Sequence, residues 1–390
     1  MTKRAASAGP RKDERTGTWW FVCDVGAGPD GRRHQARRRG FPTKKAAQAE
    51  INRLRHSVDE RTFVPPARRT LDEYLSGWLA GLPTTGLRPS TIDGYRRCLL
   101  YVTPVLGRRQ LDQLTAGDFD RLYSDLLASG RRERQGGLSP RSVRYVHVVI
   151  QKALGDAVRK HELARNVATE SSPPSAKSAR APEMSWWTPA QLRTFLQFTA
   201  EDDLAPLFRV AAMTGMRRGE VCGLRWADLD LDKARLRVRQ QLTTLGGKLI
   251  FSDRTKTDHG RRTIDLDAGT VAALRAHRRR QAETRLLIGA GYRDHDLLFA
   301  QPDGSPLDPE SVAKVFDRRV ARSVLPRIRF HDLRHSHVAH LIAAGEQPLL
   351  IARRLGHASA SFTLDRYGHL FEQAGSQAAS AVAAMVDEAL

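Results

Sequence analysis

Residues 331–345 read HDLRHSHVAHLIAAG, and residues 353–371 read RRLGHASASFTLDRYGHLF. In the first stretch His331 and Arg334 stand three apart, which puts both on one face of a helix. His335, His337 and His340 continue the run, and so many histidines invite a metal reading. No cysteine or clustered carboxylate completes a ligand set, and the HExxH pattern is absent, so a metal is the minority reading. Packing or capping is the ordinary role for His335, His337 and His340. In the second stretch Gly356 closes a helix and leaves His357 just beyond it in a loop. Tyr367 follows in a short helical segment, next to Asp365 and Arg366. A phenol titrating near pH ~10 is a poor nucleophile unless cations surround it. Taken alone, Tyr367 reads as a core residue.

The chain supplies such cations upstream. Residues 214–230 read TGMRRGEVCGLRWADLD. Gly215 ends one helix and Gly219 lies near the start of the next, so Arg217 sits on a tight connection. From there its planar fork can bracket two phosphate oxygens. Glu220 is placed to hold a neighbouring basic group. Lys256 falls in DRTKTDHGRR, residues 253–262, at or beside a β-turn between short strands. A surface charge is the ordinary reading of any one lysine, but a hairpin tip can also reach into a groove.

Composition agrees with a polyanionic partner. Among 390 residues, Lys and Arg number 64 against 43 Asp and Glu, a formal charge of +21. Such a charge repels itself unless a polyanion screens it, and nucleic acid is the obvious one. Cys23, Cys98 and Cys222 are isolated thiols that fit neither a disulfide framework nor a zinc spacing. No apolar run marks a signal peptide or a membrane span, so a cytoplasmic, nucleoid-associated protein is expected.

The chain divides by pattern into several parts. Residues 1–17 are expected to be a disordered, basic tail. TWWFVCDV and RRHQARRRG read as two strands, and a helix capped by Thr43 follows. Residues 18–65 therefore form a small arginine-covered sheet with one helix, a shape able to enter a DNA groove. Residues 70–168 are helical: Leu71, Tyr74, Leu75, Trp78 and Leu79 share one face, Ser90 is placed to cap the next helix, and Pro140 opens the last. Arg96, Arg97, Arg141 and Arg144 on this body are candidates for phosphate contacts. Residues 169–185, rich in Ser, Ala and Pro, read as a linker. Residues 186–390 form a mixed α+β domain ending in an Ala-rich amphipathic segment, GSQAASAVAAMVDEAL. The fold class expected is multidomain, mainly α with small β-sheets.

The order TGMRRGE, TKT, HDLRHSH, LGHAS and LDRYGH resembles the tyrosine recombinase (phage integrase) family, best over residues 186–375. Residues 70–168 are similar to that family's core-binding domain. Residues 18–65 are similar to the arm-type DNA-binding domain of integrases from actinobacterial phages and integrative plasmids. The resemblance implies Tyr367 as nucleophile, leaving a 3′-phosphotyrosine and a free 5′-hydroxyl. It implies Arg217 and Arg334, helped by His331 and His357, as the cradle of the scissile phosphate, and Lys256 as the acid that protonates the leaving oxygen. His331 is a candidate to take the tyrosine proton, and Glu220 a supporting residue. No cofactor and no metal are implied. The partners implied are double-stranded attachment sites, a homotetramer on DNA, and a host DNA-bending protein and an excisionase, with no membrane. Three other readings stay open at this point: a type IB topoisomerase-like enzyme, a noncatalytic DNA-binding regulator on the same scaffold, and a metal-dependent nuclease or transposase.

Overall fold

The computed structural model describes residues 9–27, 33–59, 69–132, 135–180, 184–252, 261–357 and 359–371. Lys256, residues 1–8 and the Ala-rich segment 375–390 lie outside the described residues, and the tail expected to be disordered over residues 1–17 instead places Arg11 and Lys12 in a strand paired with Trp20 and Trp19. The chain divides into two compact units, Met1–Ala181 and Pro182–Leu390.

The first unit begins with an antiparallel sheet in the order β1 (Arg11–Lys12), β2 (Trp19–Ala27), β3 (Arg33–Phe41), followed by helix α1 (Lys44–Asp59). Strand side chains alternate between faces. Phe21, Cys23 and Ala36 therefore turn inward against Ala47, Ile51 and Leu54 of α1. Trp20 turns the other way, and the guanidinium groups of Arg37, Arg11 and Arg39 lie 4.8, 5.7 and 5.9 Å from its ring centre. The expected cap is present, since the Ala46 N–H donates to Thr43 Oγ1 at 3.1 Å.

Five helices follow in the same unit: α2 (Leu71–Gly81), α3 (Pro89–Leu99), α4 (Thr103–Leu106), α5 (Ala116–Ser129) and α6 (Pro140–Arg159). Their apolar faces enclose one core that includes Leu71, Tyr74, Leu75, Trp78, Phe119, Tyr123 and Leu154. Thr70 and Thr115 each close a capping box, which satisfies the first free N–H groups of α2 and α5. Ser90 does not cap its helix. Pro89 occupies the first helical turn and Arg88 the cap, because proline's fixed φ and missing N–H suit that position. Arg96 and Arg97 both pair with Asp93. Arg144 donates to the Pro174 carbonyl at 2.8 Å, and the Ser172 N–H to Asp120 at 2.6 Å. These bonds tie the start of the Ser/Pro-rich stretch to the helical body.

The second unit starts with α7 (Pro189–Phe198), α8 (Ala205–Thr214) and the short α9 (Arg218–Cys222). A small antiparallel sheet of β4 (Leu229–Asp230), β5 (Arg235–Val238) and β8 (Arg262–Asp265) comes next. Between its strands runs the hairpin β6 (Gln241–Leu245) and β7 (Lys248–Ser252). That hairpin turns on Gly246 and Gly247, whose φ values of +56° and +77° other residues adopt only with strain. Helices α10 (Ala268–Ile288), α11 (Pro309–Arg322), α12 (Asp332–Ala343), α13 (Pro348–Leu355) and α14 (360–371) complete the unit. The core is aromatic: Trp187, Phe195, Phe208, Phe316 and Phe330 lie ring against ring. Trp187 also anchors α12. Its backbone N–H donates to Ser336 Oγ at 3.0 Å, and its carbonyl accepts from His340 Nε2 at 2.9 Å.

Candidate active site

Two connections meet at Arg334. Its side chain is buried, with Nη1 donating to the Gly215 carbonyl at 2.7 Å and Nη2 to the Leu355 carbonyl at 3.0 Å. Gly215 ends α8 in the left-handed conformation, φ +62°, two residues before Arg217. A Cβ there would lie 2.7 Å from His337 and 2.8 Å from Leu355, so the position demands glycine twice over. Leu355 ends α13, two residues before His357, and Gly356 supplies another left-handed cap. One guanidinium thus fixes the two connections that carry Arg217 and His357. A guanidinium has five N–H donors, so several remain for a ligand.

Arg217 occupies the N-cap of α9 and is about one-third exposed at 33%. It donates to Glu220 Oε1 through Nη1 at 2.8 Å, and Nη2 lies 3.4 Å from the Gly356 carbonyl. Glu220 is buried and receives a second arginine, Arg262 of β8, at 2.9 Å. Arg262 also donates to the Arg354 carbonyl at 2.7 Å. Burial alone would raise the Glu220 carboxyl, but the charges of Arg262 and Arg217 prevail and hold it at about 2. Arg262 was not singled out in the sequence.

Tyr367, on α14, is buried with Val338, Ile342, Ile351 and Leu355. Its hydroxyl lies 2.6 Å from His335 Nδ1, so His335 and not His331 meets it. Burial pushes the phenol up, while Arg334 and Arg366 pull it down. His331 stands at the N-cap of α12, its ring edge-on to His335 at 5.3 Å. Burial, then the charge of Arg334, holds His331 down to about 4, and the same two causes hold His357 at about 3. Both are therefore neutral at pH 7. His357 Nδ1 is fixed by Thr363 Oγ1 at 2.8 Å. The other histidines of the run go to separate partners: His337 accepts from Arg354 Nε at 3.1 Å, and His340 holds Trp187. Lys256 lies outside the described residues.

The Glu220 pair carries a pH-dependent part of the stability. Its carboxyl falls from an ordinary 4.5 to about 2 on folding. The stabilisation is therefore complete above pH 4.5 and is lost as pH falls toward 2. It amounts to roughly 3 kcal/mol. Glu220→Gln should lower the unfolding free energy by about that much at pH 7, and by less than half of it at pH 3. Urea unfolding of both proteins at the two pH values measures this. A difference that does not shrink in acid would count against the buried ion pair.

A buried tyrosine hydroxyl beside a cluster of arginines and neutral histidines, on a mainly helical body, defines the class of tyrosine recombinases. The sequence profile of the Phage integrase family matches residues 185–374, and that of an Arm DNA-binding domain matches residues 11–58. ICEBs1 integrase of Bacillus subtilis is 32% identical over 279 residues, covering 68% of this chain and 72% of that protein. An integrase of Streptomyces ambofaciens is 28% identical over 380 residues, 94% of each chain. Among solved structures, the Tn1549 transposon integrase in complex with a circular intermediate DNA is similar in fold. Its TM-score is 0.61 at 20% identity, over 77% of this chain and 95% of that one. The chain belongs to the phage integrase family, the tyrosine-type site-specific DNA recombinases.

Proposed function

We propose that this recombinase integrates a mobile element or phage genome into a host chromosome by cutting one DNA strand at a time with Tyr367. In this reading Arg217 and Arg334 bind the nonbridging oxygens of the scissile phosphate, with His331 and His357 as neutral donors beside them. Charge develops on those oxygens in the pentavalent transition state, where preorganised donors act most strongly. Glu220 holds Arg217 in position. Tyr367 attacks phosphorus in line, the 3′-phosphate becomes esterified to the phenol, and Lys256 gives a proton to the departing 5′-oxygen. The phosphotyrosine conserves the energy of the broken bond, so a 5′-hydroxyl of the partner duplex can reverse the step without ATP.

One observation carries this reading. Arg334 ties together the connections bearing Arg217 and His357, and the residue after it holds the Tyr367 hydroxyl. Four motifs separated by 150 residues along the chain, 217 to 367, thereby share one small volume.

The DNA partner would be read at two sites. The helical body, α2 to α6, serves as the core-site binding domain, and the Trp20 face of the β1–β3 sheet serves as the arm-site reader. Exchange of both strand pairs in turn needs four nucleophiles, so the working form is a homotetramer on DNA. A host bending protein and an excisionase would bring arm and core sites together. Among the described residues no helix is long and apolar enough to cross a membrane.

The test is a suicide substrate nicked beside the crossover, which traps the covalent step. The full-length protein should form an adduct that maps to Tyr367 by peptide mass and survives a chelator. Adducts on another residue, or activity that needs a divalent ion, would overturn the proposal.

A further inference from the structure

We infer that His335 is the general base for Tyr367, taking the phenolic proton on Nδ1 while Asp332 steadies the imidazolium through Nε2. The inference rests on Tyr367 being the nucleophile.

His335 stands between a hydroxyl within hydrogen-bond distance and a carboxylate within ion-pair distance. The Tyr367 oxygen stands 2.6 Å from His335 Nδ1, and Asp332 Oδ1 stands 3.9 Å from His335 Nε2. All three side chains are buried. Asp332 is itself fixed by Arg329, whose backbone N–H, Nε and Nη2 donate to its carboxylate at 2.8, 3.0 and 2.8 Å. His335 lies one residue after Arg334, so the base and the principal phosphate ligand ride on the same turn of α12. No other described histidine has a hydrogen bond to this hydroxyl.

The charges around His335 set its resting state. His331, Asp332 and Arg329 face it from its own segment, Arg366 and Tyr367 from α14, and His357 from the loop after α13. Burial, then His331, holds the imidazole down to about 4, against the pull of Asp332. At pH 7 the ring is therefore neutral. The proposed step uses the Nε2–H tautomer, which the nearby Asp332 carboxylate favours and which leaves the Nδ1 lone pair to accept from the hydroxyl. A DNA phosphate bound at Arg334 adds negative charge beside this cluster, which strengthens the base at the moment it is needed.

The step balances as follows. The Tyr367 O–H bond breaks and its proton goes to His335 Nδ1. The freed oxygen pair forms the bond to phosphorus, the bond from phosphorus to the 5′-oxygen breaks, and that oxygen takes a proton from the Lys256 ammonium. On rejoining, the 5′-hydroxyl gives its proton to the Lys256 amine as it attacks phosphorus, the bond from phosphorus to the Tyr367 oxygen breaks, and that oxygen recovers its proton from His335.

His335→Asn is the decisive variant, because its amide oxygen can still accept the hydrogen bond but cannot take the proton. Adduct formation on the suicide substrate should slow by roughly 100-fold or more. Its rate should climb with pH across the neutral range, where the wild-type rate is flat. His335→Ala should behave alike and be partly rescued by added imidazole. A substrate with sulfur in place of the bridging 5′-oxygen needs no leaving-group acid; it should restore Lys256→Ala but not His335→Asn. A His335→Asn protein with wild-type rate and pH profile would overturn the inference, as would rescue by the sulfur substrate. That result, with normal wild-type adducts at Tyr367, leaves the proposed function standing. A wild-type protein that makes no Tyr367 adduct removes both.

Discussion

Tyr367→Phe should form no covalent adduct with a nicked core site, yet bind that site within about threefold of the wild-type affinity. The phenyl ring keeps every apolar contact of the tyrosine ring in the cluster with Val338, Ile342, Ile351 and Leu355. Only the hydroxyl is lost, and with it one hydrogen bond to His335. A bond between neutral partners contributes about 1 kcal/mol, so the fold should survive with a small drop in unfolding free energy. Binding depends on phosphate contacts from arginines and lysines, none of which the substitution removes. Catalysis has no substitute for the nucleophile, because the phenyl ring carries no oxygen to attack phosphorus. The measurement pairs a denaturing gel for adducts with a mobility-shift titration at fixed salt. A Phe variant that still traps DNA, or one that no longer binds, would break the assignment. The first outcome places the nucleophile elsewhere; the second makes Tyr367 a structural residue.

Much of this site is legible in the sequence, and its gaps have physical causes. Glycines mark the connections because left-handed caps need them, which is how Arg217 and His357 are found. The ordered set of basic residues then gives Tyr367 its meaning. Arg262 does not stand out in the sequence because a second arginine in HGRR looks like hairpin charge. Its signal was the strand alternation, since it shares the inward face with Ile264. The sequence marks His335 as a packing residue, and it does pack: His335, Val338 and Ile342 fall on one buried stripe of α12. What spacing does not reveal is which residue of another helix meets that stripe. The 32-residue separation of His335 and Tyr367 is a tertiary contact, set by how α14 folds back over α12. The helical body follows from its periodicity, whereas the cap at Arg88 turned on a single proline whose neighbour offered a competing hydroxyl.

Arg334→Ala should slow cleavage by roughly 1,000-fold while changing core-site affinity far less. The resting protein itself argues for this. Arg217, Arg262 and Arg334 gather around one buried carboxylate, Glu220, leaving the cluster short of negative charge. Burial, and next the charge of Arg217, pulls the Arg334 guanidinium down to about 9. A cation held where it is disfavoured adds little to stability through its charge. The group that completes the balance is an anion from outside, and a phosphate gaining charge in the transition state fits best. The alanine variant also frees two carbonyls, those of Gly215 and Leu355, so a folding defect has to be separated from a catalytic one. Arg334→Lys makes that separation. It restores a positive charge and a donor, but an ammonium is a point charge that cannot bracket two carbonyls and a phosphate together. The lysine variant should regain thermal stability relative to alanine and still cleave at least ~100-fold slower than wild type. Single-turnover cleavage, melting temperature and affinity on one preparation decide it. If the lysine variant cleaves normally, charge alone suffices and the planar fork is irrelevant; if cleavage and binding fall together in both variants, Arg334 binds the ground state and has no special claim on the transition state.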